Sequence, residues 1–235
     1  MQQSLQFLTS QIRVLQFKYA LFLFVFLISL SSSADSLYIG DEPIHPAVVV
    51  IEEQTEILLS ELSNRKSEFT SDPLQLVKFA QKVALSHWDI TRSSRLILGP
   101  YWRKATDEDR KAFENEFLRT LLRYVVRAYG YYDDNLIKVL QYDWQPVKAG
   151  GWVLSKVRIP GGIKVGVDYR MSFNKQRDSW QLIDVRVEGI SLVKVKQNEF
   201  RQKVSRSGLQ SLIQMMSDKN DEIIKDILPN NSVTE

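Results

Sequence analysis

The hydrophobic period of this chain changes from helical to two near Leu136 and stays so as far as Glu188, and that change restricts the fold more than any other feature. Before it, apolar residues recur at helical spacing; after it, they alternate. Four strands are predicted: Leu136 to Val147, Trp152 to Ile159, Lys164 to Phe173 and Trp180 to Glu188. The third sets Val165, Val167, Tyr169, Met171 and Phe173 against Lys164, Asp168 and Arg170. The fourth sets Ile183, Val185 and Val187 against Asp184, Arg186 and Glu188. The intervening Lys148-Ala149-Gly150-Gly151, Pro160-Gly161-Gly162 and Asn174 to Ser179 are short turns, which join neighbours antiparallel. Such a sheet has one apolar face and one wet face. The predicted class is therefore α+β, with helices packed on one face of a curved four-stranded antiparallel sheet. A curved sheet folded over long helices is cone-like, and a cone can enclose an apolar cavity.

Pro46 opens a first helix, with Val49, Val50, Glu53, Ile57 and Leu58 near helical spacing, and it fades at Ser63 to Lys66. Asp72-Pro73 starts a second, with aspartate as cap and proline in the first turn. Its face is Leu74, Val77, Ala80, Gln81 and Ala84; Leu96 to Trp102 reads as an apolar turn broken by Gly99-Pro100. The strongest helix signal begins at Thr106, where the hydroxyl caps and Asp107, Glu108 and Asp109 meet the positive helix end. It carries two adjacent apolar stripes: Phe113, Phe117, Leu121, Tyr124, Val125 and Ala128, and beside them Leu118, Leu122, Val126 and Tyr129. One stripe is the norm for a surface helix, so two imply contact with the sheet and something more. Gly130 is the expected C-cap. After Gly189 the chain returns to helix through Phe200, Val204, Leu209, Leu212, Ile213 and Met216, with a short last helix at Asp221 to Leu228.

The N-terminus reads as an export leader. Arg13 and Lys18 precede the apolar run Tyr19 to Leu30, and Ser32-Ser33-Ala34 offers small residues for cleavage. The apolar run is shorter than the roughly 20 residues of a membrane span. The expected organisation is a signal peptide at 1–34, one α+β domain at 35–220 and a C-terminal tail at 221–235. No cysteine is present, so neither a lipoprotein anchor nor a disulfide is expected. A mature chain of about 200 residues buries a core without staples. Removing the leader lowers the formal charge from +3 to +1. A near-neutral domain is a poor candidate for nucleic-acid binding, which needs a basic face.

Catalytic signatures are sparse. The two histidines are His45, near the mature end, and His87, read as a structural residue near a helix end. No Gly-x-Ser-x-Gly elbow, His-x-x-x-His pair or EF-hand loop occurs. Gly150-Gly151 and Gly161-Gly162 are hairpin glycines, not phosphate loops. What remains is abundant inward-facing apolar and aromatic surface.

Several stretches together resemble a known family: Leu98-Gly99-x-Tyr101-Trp102-Arg103-x-Ala105-Thr106 with Arg110, Phe113 and Phe117; Val167-Asp168-Tyr169-Arg170 and Trp180; Asp184-Val185-x-Val187-Glu188-Gly189-Ile190-Ser191-Leu192; and Phe200 with Gly208-Leu209-x-x-Leu212-Ile213. Spread from Asp72 to Asn220, they resemble the MlaC-type periplasmic phospholipid-binding proteins, or toluene-tolerance auxiliary family. The resemblance implies a carrier in the periplasm of a Gram-negative bacterium. Such a carrier shuttles phospholipid between an outer-membrane lipoprotein–porin complex and an inner-membrane ABC transporter with an MCE-domain subunit, and so maintains outer-membrane lipid asymmetry. It implies no enzyme activity and no cofactor, with phospholipid as cargo.

On that reading the candidate lipid-binding residues are Phe113, Phe117, Leu121, Val125, Val157, Ile159, Val165, Val167, Tyr169, Met171, Val185 and Val187, with Tyr101 and Trp102 guarding the mouth. Arg92, Arg95 and Arg103 are candidates for headgroup contact. Val167→Asp or Leu121→Arg is expected to strip lipid from a folded protein. Two other readings remain. One is a periplasmic adaptor with a solid core. The other is a cavity enzyme of the loosely similar NTF2-like kind, using an acid and a tyrosine. Asp168 and Tyr169 are adjacent, but strand alternation sends them to opposite faces.

Overall fold

The computed structural model describes residues 44–129, 138–158 and 163–227. The expected export leader through Ala34, Gly130, Leu136, Ile159, the expected turn Pro160-Gly161-Gly162 and Leu228 onward lie outside the described residues.

Helix α1 (Pro46–Asn64) starts where His45 Nδ1 accepts the Ala47 N–H at 3.2 Å and Pro46 takes the first turn. Its buried side is Ala47, Val48, Ile51, Thr55, Leu58, Leu59 and Leu62, while Glu53 and Ile57 face solvent. The inward stripe is thus rotated from the one expected. Ala47 to Ile51 is apolar throughout and leaves the phase of the helix undetermined, and Thr55 faces inward although polar. A short α2 (Lys66–Ser71) leads to α3 (Pro73–His87), where the Asp72 carboxylate accepts from Leu74 N–H at 3.0 Å as expected. The predicted turn at Leu96 to Trp102 resolves into the end of helix α4 (Ile90–Leu98), a turn at Gly99, and helix α5 (Pro100–Lys104). Helix α6 (Asp107–Tyr129) is entered through Thr106, whose hydroxyl accepts from Asp109 N–H at 3.1 Å.

The strands are β1 (Lys138–Val147), β2 (Gly150–Arg158), β3 (Lys164–Asn174), β4 (Ser179–Val187) and β5 (Ile190–Ser191), paired antiparallel in chain order. The fifth strand corrects the expected four. Glu188 and Gly189 both adopt positive φ, 48° and 79°, the backbone of a tight two-residue hairpin turn, so the chain folds straight back onto Arg186 and Val187. Pro146 is accommodated because β1 is an edge strand. Leu140 and Ile183 are each left unpaired where the register shifts, and such bulges increase twist and bend the sheet.

On the inner face lie Val153, Ser155, Val157, Val165, Val167, Tyr169, Met171, Leu182, Val185 and Val187, all buried. Helix α1 crosses this face and touches β1, β2 and β4. At its N-terminal end His45 stacks on Trp144 at 3.8 Å, and Trp144 meets Trp180 at 5.4 Å. These two tryptophans stand on strands separated by β2 and β3, so their rings close one end of the curved sheet. Helix α7 (Leu192–Ile227) is interrupted at Gly208 (φ 82°, ψ 166°) and then runs on through Asn220 and Asp221. No separate helix begins at Asp221, and that carboxylate pairs with Arg119 of α6.

Candidate functional site

A partly open apolar cavity of about 60 Å³ lies between the inner sheet face and three helices. Helix α1 contributes Val50, Ile51, Gln54, Thr55 and Leu58; α3 and its exit contribute Ala80, Val83, Ala84, His87 and Trp88. Helix α6 adds Leu121, Leu122 and Val125, and the sheet adds Tyr169, Met171 and Leu182. Ala80 and Ala84 are one turn apart on α3, and their small side chains leave room that larger residues would fill. Trp88 is fixed from outside the cavity: its indole N–H donates to Ser93 Oγ at 2.7 Å, and Ser93 Oγ donates to the Ile183 carbonyl at 2.7 Å. The Asp89 N–H donates to the Leu182 carbonyl at 2.9 Å, anchoring the end of α3 to the sheet edge.

The polar groups of the cavity wall are electrically quiet. Burial pushes the Tyr169 phenol up, against a weaker opposing hydrogen bond to Ser155, so it stays neutral. Burial lowers the His87 imidazole below its ordinary 6.5, which favours the neutral ring near pH 7. Asp168 stands on the opposite face of the sheet, paired with Arg186, whose guanidinium lies 4.2 Å from the Trp152 ring centroid. The acid–tyrosine pair required by the cavity-enzyme reading is therefore split across the sheet.

Of the residues proposed from sequence, Leu121, Val125, Tyr169 and Met171 line this cavity. Phe113 and Phe117 sit two turns and one turn earlier on α6, outside the cavity wall. Phe113 contacts Phe200 at 6.0 Å, and Phe117 contacts Trp88 at 6.5 Å. Val157, Val165, Val167, Val185 and Val187 share the buried face of the sheet but lie away from the cavity wall. Ile159 lies outside the described residues. Trp102 is buried with Arg110 at 5.5 Å and Arg95 at 6.0 Å from its ring, and Tyr101 is half-buried beside it; neither borders the cavity. Arg92 donates to the Ser172 hydroxyl, and Arg103 is exposed on α5. Sequence reasoning missed α1 and α3 as cavity walls. The usable signal was the small pair Ala80 and Ala84 opposite a long apolar helix.

The two most distinctive motifs prove to be scaffold. In Leu98-Gly99-Pro100, Gly99 (φ 56°, ψ −116°) turns the chain, while Arg201 donates to the Ile97 carbonyl at 2.8 Å and the Leu96 carbonyl at 2.7 Å, closing the end of α4. In the second motif, Asp184 accepts the Ser191 hydroxyl and, at 2.9 Å, the Val193 N–H, fixing the start of α7 on the sheet.

The profile of the MlaC protein family matches residues 52–218. The chain belongs to that family. The match takes in most of α1 as well as the region where the sequence motifs lie. The MlaC-family chain is similar to the toluene tolerance protein ttg2D of Pseudomonas putida, at 26% identity over 166 residues, covering 68% of this chain and 73% of that protein. Its fold is similar to that of a phospholipid-binding protein from Ralstonia solanacearum, solved in complex with a phospholipid. The TM-score is 0.60 at 19% identity, over 77% of this chain and 100% of the other.

Proposed function

We propose that this protein is a phospholipid carrier that takes acyl chains between α1, α3, α6 and the inner face of the sheet. The observation that supports it is the apolar cavity at that junction in a chain of the MlaC family. Pulling an acyl chain of ~15 methylenes into water costs on the order of 12 kcal/mol, at about 0.8 kcal/mol each. A carrier offsets this by offering apolar contact in place of the bilayer, and needs no nucleophile to do so.

The dimensions add a mechanical requirement. An apolar cavity of roughly 150 Å³ accepts only a benzene-sized guest, and this one is about 60 Å³. An acyl chain enters only if the helices move off the sheet. Loading and release are then the same motion in opposite directions, driven by whatever membrane protein separates the walls. We further assign the carrier to the periplasm, exchanging lipid between an outer-membrane lipoprotein–porin complex and an inner-membrane ABC transporter with an MCE-domain subunit.

The test is extraction. Protein exported and purified without detergent is expected to yield near-stoichiometric phospholipid by mass spectrometry, and Leu121→Arg to yield little from a folded protein. A wild-type protein that is lipid-free, and stays so after incubation with liposomes, would overturn the carrier assignment.

A further inference from the structure

On its outer side the cavity wall backs onto a second depression, a groove of about 450 Å³ between α1 and α3. Three residues, Gln54, Val83 and His87, border both the cavity and the groove, so a single layer of side chains separates them. The groove is chemically unlike the cavity. Its α3 side presents Gln75, Lys78, Phe79, Lys82 and Ser86, which are linked through steps of three or four residues and so share one helix face. Its α1 side presents Ile57, which is 52% exposed, and Glu61. Glu61 is already held by Arg65 at 3.2 Å, and Arg65 also grips Glu68 at 2.8 Å. Lys78 and Lys82 are exposed and lack an ion-pair partner among the described residues. The groove therefore carries an excess of positive charge over a partly apolar floor, one side chain away from an apolar interior.

That arrangement has the polarity of a phosphate-bearing amphiphile. Chains in the cavity, a neck at Gln54, Val83 and His87, and a phosphate in the groove would place each part of such a molecule against matching chemistry. We propose that the α1–α3 groove holds the phosphate end of the cargo, with Lys78 and Lys82 as its counter-charges. This rests on the carrier reading and locates one end of its ligand. It shifts headgroup contact away from Arg92, Arg95 and Arg103. It also names the seam that must part, because α1 and α3 form the two lips of the neck.

The test compares two probes with the same chains, phosphatidylglycerol and diacylglycerol, on the full mature protein. Lys78→Glu with Lys82→Glu is expected to weaken phosphatidylglycerol binding about ten-fold at low salt, with the loss shrinking as salt screens the charges, and to leave diacylglycerol binding unchanged. Lys78→Arg with Lys82→Arg restores the affinity. The charge-matched control Lys104→Glu with Lys111→Glu, on exposed residues of α5 and α6, leaves both probes unaffected. Unchanged phosphatidylglycerol affinity in the double glutamate variant would put the headgroup elsewhere while the carrier assignment stands. An equal loss for both probes would overturn the proposal by showing that the lysines act on the chain cavity or the fold. Glycerol phosphate binding as tightly as phosphatidylglycerol would also overturn it, marking a free-phosphate site. A wild-type protein that binds neither lipid would remove the carrier reading itself.

Discussion

At the scale of single residues, Gly99 and His87 carry the sharpest consequences. A Cβ on Gly99 would lie 2.5 Å from the Arg201 guanidinium, and its backbone at φ +56° is one that side chains disfavour. Gly99→Ala is expected to destabilise by about 1–3 kcal/mol, read as a lowered denaturant midpoint, with lipid specificity unchanged because the turn lies away from the cavity. His87 couples stability to pH. Its imidazole is lowered by burial from 6.5, so the unfolded chain protonates first as the pH falls. The stability associated with this residue is intact above about pH 6.5 and declines as the pH drops through it, until the folded ring also protonates. Denaturation midpoints at about pH 7.5 and about pH 5.5 should therefore differ less in His87→Gln than in the wild type. An equal drop in both would remove His87 as the cause.

At the scale of elements, α6 and β3 each divide along their length. Phe113 and Phe117 are buried outside the cavity wall, and Leu121, Leu122 and Val125 belong to it; on β3, Val167 is buried outside the wall and Tyr169 and Met171 belong to it. The two substitutions expected to act alike should now act differently. Leu121→Arg points a long side chain into a space that can open, and its head can reach water. Val167→Asp buries an unpaired carboxylate at a fully enclosed position and is expected to cost more than about 4 kcal/mol. Circular dichroism should find Leu121→Arg folded and lipid-poor, and Val167→Asp unfolded or only partly folded. The element types were legible because their signals are local. Asp72 and Thr106 cap the helices that they announced, and the alternation in β3 and β4 placed Asp168 and Tyr169 on opposite faces. The phase of α1 was not legible, because an unbroken run such as Ala47 to Ile51 buries equally well at several rotations.

At the scale of the whole molecule, cargo and fold share one free-energy balance. A ligand that binds only the folded state at about 100 times its Kd adds about 2.7 kcal/mol, which for a domain of ~200 residues raises Tm by roughly 5–10 °C. Protein stripped of lipid and then reloaded should recover that increment in a thermal melt, and Leu121→Arg should not. The sequence by itself determined the class of fold, the four long helices, four of the five strands and the family, because periodicity, caps and motif spacing are written within a few residues of each other. Only the tertiary structure decided where the interior is hollow. Phe117 and Leu121 sit one turn apart on the same stripe and are equally apolar, yet one meets Trp88 and the other a void. Periodicity reports that a side chain faces inward. Whether it meets atoms or space depends on how far α1 and α3 stand from a sheet that lies far along the chain from both, and no local pattern encodes that distance.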